Sequence, residues 1–205
     1  MGDEFTIRPL TPETWDAFAA LVERHGGIFG GCWCIWFHPD SDERGQGAEA
    51  NRALKRRFVE EGTAHAALVF DGERAVAWCE YGTPEELPNI HHRKDYEAGL
   101  DQPPAYRLTC LFIDKEYRRR GLSHLALQGA LDLIAEAGGG IVEGYPQDLS
   151  DGRRVGNSFY NSTRARYESH GFTSGSPPTP RGVPTTVRPS VTTMTSLRLT
   201  SCSYG

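Results

Sequence analysis

"YRLTCLFIDKEYRRRGLSHLALQGALDLIAEAGGGIVEGYP", residues 106–146, is the stretch on which the fold turns. In its first part Leu108, Cys110 and Phe112 alternate with Thr109, Leu111 and Ile113. Apolar groups on both faces predict a strand buried on two sides. Arg118, Arg119 and Arg120 then run into Gly121, and an amphipathic pattern starts near Leu122. Leu122, Leu125, Ala126 and Leu133 lie on one side of that helix, and Gly138 to Gly140 stop it. "IVEGYP" follows as a short strand. The unit is therefore strand, turn, helix, strand.

The first helical turn holds no acid, although a helix N-terminus favours one. Cations and a glycine stand there instead, which suits an anion supplied from outside. The unpaired N–H groups of the first turn point into the preceding turn. Gly121 lets a ligand approach the backbone, and the helix dipole and the arginines favour negative charge. Pyrophosphate fits this description. The Gly-Lys-Ser/Thr ending of a Walker-type loop is missing. A solvated surface loop is the competing reading of such a short charge run.

Working outward, "EFTIRPL" reads as a first strand. "TPETWDAFAALVERHGG" reads as a helix with Thr11 as N-cap, Pro12 at the first position and Gly26-Gly27 as the stop. "GAEANRALKRRFVEEG" reads as a second, mostly polar helix. Two apolar runs around Asp71-Gly72 form a hairpin. "SFYNSTRARYESHGF" reads as a final helix ending at Gly171. The predicted order is β, α, α, β, β, β, α, β, α, a mixed α/β domain. From Thr173 to Gly205 the chain is rich in Ser, Thr and Pro and has no acid and no lysine. This divides residues 1–172, one domain, from an atypical tail, 173–205, in which "TTMTSLRLT" is the candidate strand.

The chain has 205 residues and a net charge of −5, so no nucleic-acid partner is expected. No segment has the apolar length to span a bilayer, and no membrane partner is expected. The five cysteines are scattered, which favours a reducing, cytoplasmic setting over a disulfide framework. Cys32, Cys34 and His38 offer three zinc ligands without a fourth, and no metal is expected.

Arg118-Arg119-Arg120-Gly121-Leu122-Ser123 resembles the R/Q-x-x-G-x-G/A pattern of the GCN5-related N-acetyltransferases (GNAT), with Ser123 in the last small position. "YESHGF", residues 167–172, resembles the family's Y-x-x-x-G-F ending. Together with "VAWCEYG" and "AGGGIVEGYP", these segments resemble an uncharacterised bacterial subgroup. The resemblance runs from about residue 5 to residue 172. It implies a mixed, mostly antiparallel sheet with one splayed parallel pair and flanking helices. It also implies acetyl-CoA as acyl donor and an amine acceptor that attacks the thioester directly. Leu111, Phe112 and Ile113 would then contact the pantetheine and acetyl carbonyl. Arg118, Arg119, Arg120, Gly121, Leu122 and Ser123 would hold the pyrophosphate, and Asn161 lies near a coenzyme-contacting position. Tyr167 is the candidate proton donor to the leaving thiolate, or else a packed aromatic. Glu80 and Glu143 are candidate bases acting through water, or else plain strand acids. Trp33, Trp36 and Phe37 form either an acceptor wall or core. A non-catalytic acyl-CoA-binding module is the alternative function, and a homodimer is left open.

Overall fold

The computed structural model describes residues 4–90, 102–146, 163–174 and 187–189. Strands β1 (Phe5–Pro9), β2 (His65–Asp71), β3 (Arg74–Gly82), β4 (Tyr106–Ile113), β5 (Val142–Gly144), β6 (Phe172–Ser174) and β7 (Val187–Pro189) form one sheet. Its order is β1-β2-β3-β4-β5-β7-β6. Every neighbouring pair is antiparallel except β4 and β5. The helices are α1 (Trp15–Arg24), α2 (Ala48–Glu60), α3 (Leu122–Glu136) and α4 (Arg164–Glu168), with a 3-10 turn at Lys115–Tyr117.

Strand alternation sorts the core into two layers. Leu68, Phe70 and Trp78 pack with Trp15, Phe18, Leu21, Val22 and Leu54 on one face. Ala67, Val69, Ala77 and Leu108 pack with Leu122, Ala126, Leu127, Ala130 and Ile134 on the other. The central strands are thus covered on both sides, which their two-faced apolar pattern requires. In α3 the buried stripe runs through Leu122, Ala126, Ala130 and Ile134, while Leu125 and Leu133 are only half-buried.

The sheet continues beyond the division expected at residue 172, because β6 starts there and β7 lies inside the tail. The strand expected in "TTMTSLRLT" lies outside the described residues. Helix α1 begins at Trp15, not at the expected Pro12. The Thr14 hydroxyl accepts from the Thr11 N–H at 2.9 Å and donates to the Pro9 carbonyl at 2.8 Å. Those bonds close a separate turn, a competition typical of Thr side chains.

Candidate active site

The parallel pair is short. Tyr106, Arg107 and Leu108 of β4 lie opposite Val142, Glu143 and Gly144 of β5. Among the described residues the pairing stops there, while β4 runs on to Ile113. Residues 109–113 therefore have no partner on β5 among the described residues. Leu111, Phe112 and Ile113 lie on this unpaired run. Leu111 is buried, and Phe112 stacks on Trp78 with centroids 4.8 Å apart.

A second irregularity sits beside this unpaired run. Between Cys79 and Tyr81 the β3–β4 register shifts from Leu111 to Leu108, which leaves one extra residue on β4. Such a bulge bends the strand and increases its twist. It lies next to Glu80.

Tyr167 stands where the pairing ends. Thr163 caps α4 by accepting from the Arg166 N–H, which orients this short helix. A Cβ built on Gly144 would lie 2.2 Å from Tyr167 Cε1. Glycine at 144 is thus what lets the ring lie over β5. The Phe172 ring meets Tyr167 edge to face at 5.1 Å. Burial pushes the Tyr167 phenol well above its ordinary value, so it stays protonated at neutral pH.

The arginine turn follows β4 after Asp114 and the 3-10 turn. Gly121 is the N-cap of α3 with φ 79°, and no side chain caps the helix. Arg119 is also left-handed, at φ 65°, and a non-glycine residue there costs about 1 kcal/mol. Arg118, Arg119 and Arg120 are exposed. Arg120 lies over the rings of Tyr117, at 4.9 Å, and Phe5, at 5.4 Å. Leu122 is buried and Ser123 half-buried in the first turn of α3.

The opposite layer holds a buried polar cluster. Glu80 follows Trp78 by two residues, so it shares that strand face. Lys55 Nζ donates to Glu80 Oε1 at 2.5 Å, and the Thr109 hydroxyl donates to Oε2 at 2.7 Å. The same ammonium lies 2.9 Å from His38 Nε2. Glu80, Lys55 and His38 are each 1% exposed. Burial alone would raise the Glu80 carboxyl, but the Lys55 charge holds it down at about 2. Burial and the Lys55 charge lower the His38 pKa, so the imidazole is neutral at pH 7. A neutral His38 that accepts from Lys55 places its proton on Nδ1. Its 3.4 Å approach to Glu80 is then a contact, not an ion pair.

Glu143 lies nearby on the same face, opposite Arg107. It is fully buried and accepts from the Tyr145 hydroxyl at 3.0 Å. Arg107 in turn donates to the Leu87 carbonyl at 2.6 Å.

The aromatic loop divides. Trp33, a candidate for the acceptor wall, packs inside the core instead. Its ring stacks on Trp15 at 6.1 Å and meets Phe18 edge to face. Positive φ at Trp33 and Cys34 turns this segment inward, and the area a tryptophan buries rewards that placement. Phe37 is also buried, while Trp36 is half-buried beside it. Asn89 holds the loop by donating to the His38 carbonyl at 2.6 Å.

The candidate zinc ligands part company. Cys34 lies 2.7 Å from Cys110, and His38 faces Lys55. Among the described residues, no group of three His, Cys, Asp or Glu could hold a metal ion. No helix among them is long and apolar enough to cross a membrane. Asn161 lies outside the described residues.

The structure thus brings Tyr167 over Gly144 at the point where β4 runs on unpaired through residues 109–113, with the arginine turn following β4 through the 3-10 turn and Glu80 and Glu143 on the face away from α3. Lys55, Gly144, Tyr145 and Arg107 are the members that sequence reasoning missed. Lys55 carried a signal. Asn51, Leu54, Lys55, Phe58 and Val59 follow the spacing of a helix's inward stripe. A lysine on that stripe implies a buried partner.

No protein-family model matches the sequence, and no curated protein matches it. Solved structures do. A GNAT family N-acetyltransferase (YhbS) from Escherichia coli in complex with CoA is 14% identical at a TM-score of 0.51, over 92% of this chain and 82% of that one. A putative GNAT-family acetyltransferase from Desulfovibrio desulfuricans is 12% identical at 0.51, over 92% and 99% of the two chains. The PaiA N-acetyltransferase from Thermoplasma acidophilum, in complex with coenzyme A, is 15% identical at 0.50, over 91% and 99%. Likeness at this level establishes the fold, and the fold is that of the GNAT N-acetyltransferases.

Proposed function

We propose that this chain, with its GNAT fold, is an acetyl-CoA-dependent N-acetyltransferase that moves an acetyl group to a primary amine of a small molecule or peptide. One observation carries the reading. The parallel pairing ends at Gly144, directly under Tyr167, and β4 runs on from there through a 3-10 turn into an arginine turn at a helix N-terminus. The CoA-bound relatives of the same fold support acetyl-CoA as the donor.

In this reading the pyrophosphate sits against the first amides of α3, with Arg118 and Arg119 beside it. The pantetheine runs along residues 109–113 of β4, whose backbone groups on that side are not spent on β5. The amine nitrogen attacks the thioester carbonyl carbon, a C–N bond forms, and the C–S bond then breaks. The thiolate takes the phenolic proton of Tyr167, which is still on the oxygen at neutral pH. The proton lost by the amine passes through water to Glu143. Glu80 suits that role poorly, because a carboxyl held near 2 by Lys55 accepts protons weakly. Its reading is instead positional, joining α2 to β3 and to the β4 bulge through Thr109. Trp36 and Tyr145 are the aromatic candidates for the acceptor side.

The commitment of Glu80 to Lys55 also favours the alternative, a non-catalytic acyl-CoA-binding module. Two measurements separate the readings. CoA should raise the thermal unfolding midpoint, since it binds only the folded state. Acetyl-CoA with a panel of primary amines should then release free thiol. No stabilisation by CoA defeats both readings, and stabilisation without thiol release leaves the binding module.

A further inference from the structure

Asp114 lies in the chain between the unpaired run 109–113 of β4 and the arginine turn, and the acyl-transfer steps above do not use its carboxyl. Asp114 follows the last residue of β4 and is 1% exposed. Its side chain caps the 3-10 turn by accepting from the Glu116 N–H at 3.1 Å. Arg74 donates to Oδ2 at 3.1 Å and Arg24 at 3.4 Å. His25 Nε2 lies 3.3 Å from Oδ1, a contact out of line for a hydrogen bond. One buried carboxylate thus joins the end of α1, the start of β3 and the end of β4.

A second latch holds the same turn. The Tyr117 hydroxyl donates to Asp71 Oδ2 at 2.7 Å. Asp71 and Arg74 are the two ends of the tight β2–β3 turn. The hairpin tip therefore grips the 3-10 turn twice, through Tyr117 and through Asp114. Arg74 also reaches Glu116 at 2.9 Å. The Tyr117 ring lies in turn under the Arg120 guanidinium.

We infer that Asp114 is a positioning residue for coenzyme affinity, and that the β2–β3 hairpin tip acts through it to set the arginine turn. The inference rests on the coenzyme reading above. The physical reason is charge as much as shape. Arg24, Arg74 and Lys115 crowd the carboxyl, and Arg118, Arg119 and Arg120 follow within six residues. Among these cations, a buried anion holds the unliganded turn compact, so its amides and arginines meet a pyrophosphate already oriented. Pre-organisation of this kind strengthens binding without adding a contact to the ligand. Without that charge the cations repel, and the ligand must supply the ordering itself.

The test is calorimetric titration of the full-length chain with CoA, with thermal unfolding as the control for folding. Asp114→Asn keeps the size and one acceptor oxygen but removes the charge. Its expected effect is a rise in Kd of about tenfold. Asp114→Glu restores the charge and should recover most of the affinity. Tyr117→Phe breaks the second latch, keeps the ring under Arg120, and should raise Kd about threefold. With an active amine from the panel, KM for acetyl-CoA should rise in Asp114→Asn while kcat stays within about twofold. A merely structural Asp114 would lower the unfolding midpoint and leave Kd and KM unchanged, which overturns the inference. If Asp114→Asn does not fold, Tyr117→Phe decides by the same reading. Failure of the wild type to bind CoA is read on the wild type alone; it defeats the coenzyme reading and this inference together.

Discussion

The arginine turn and the Lys55–Glu80 pair are both built on charge, yet they obey opposite rules. The turn is exposed, strained at Arg119 and open to an external anion. The pair is 1% exposed on both sides and supplies its own counter-charge. Screening by solvent makes each exposed arginine worth little to stability. Burial makes the pair costly to break, even though a well-packed apolar replacement could be as stable. Ligand recognition suits the first arrangement, and fixing one element against another suits the second.

The largest effect should come from breaking the buried pair. Lys55→Met leaves Glu80 buried without its cation, and the expected loss is about 3–5 kcal/mol in a urea unfolding titration. Lys55→Met combined with Glu80→Leu should regain most of that loss. A single variant that costs less than about 1 kcal/mol would break the contrast between the two regions.

Tyr167→Phe keeps the packing over Gly144 and removes the acid. Thiol release should fall about a hundredfold at saturating acetyl-CoA, with the unfolding midpoint little changed. An unchanged rate would leave Tyr167 as a packed aromatic only.

A pH titration sharpens the comparison next. The Glu80 carboxyl is held at about 2, against 4.5 for the free group. The folded state therefore binds fewer protons there than the unfolded state, so this contribution is complete above about pH 4.5 and is lost as pH falls toward 2. The double variant at Lys55 and Glu80 should lack that component of acid unfolding.

The smallest effect separates stability from binding within the turn. Arg119→Gly relieves about 1–2 kcal/mol of left-handed strain and loses up to about 1 kcal/mol to the freer unfolded chain, so it should stabilise the unliganded protein by about 0.5 kcal/mol. It also removes a cation, so CoA affinity should fall about threefold. Opposite signs in the two measurements would mark strain stored at a binding site. Equal signs would make Arg119 an ordinary surface residue.

Local chemistry made much of this protein legible. Gly121, the missing first-turn acid and the apolar stripe located the α3 N-terminus near Leu122, and the structure starts the helix there. Asp71-Gly72 located the β2–β3 hairpin, and the two-faced pattern of residues 106–113 located a central strand. Those signals depend on neighbours in the chain, so spacing alone reveals them. The inward turn of Trp33 did not show in the same way, because an aromatic run suits a ligand wall and a core equally well until its partners are known.

What the tertiary structure alone decided is which groups meet across long sequence separations. Glu80 reads as a free strand acid until α2 carries Lys55 onto it from 25 residues away. Asp114 reads as an ordinary turn residue until Arg24 and Arg74 converge on its carboxyl, 90 and 40 residues away. Gly144 reads as a strand weakness until the Tyr167 ring occupies the space a side chain would need. The sequence by itself determined the periodicities, the turns and the cationic helix start, because those follow from adjacent residues. Only folding determined which charges are buried and paired, because burial is a property of the packed layers and not of any one segment.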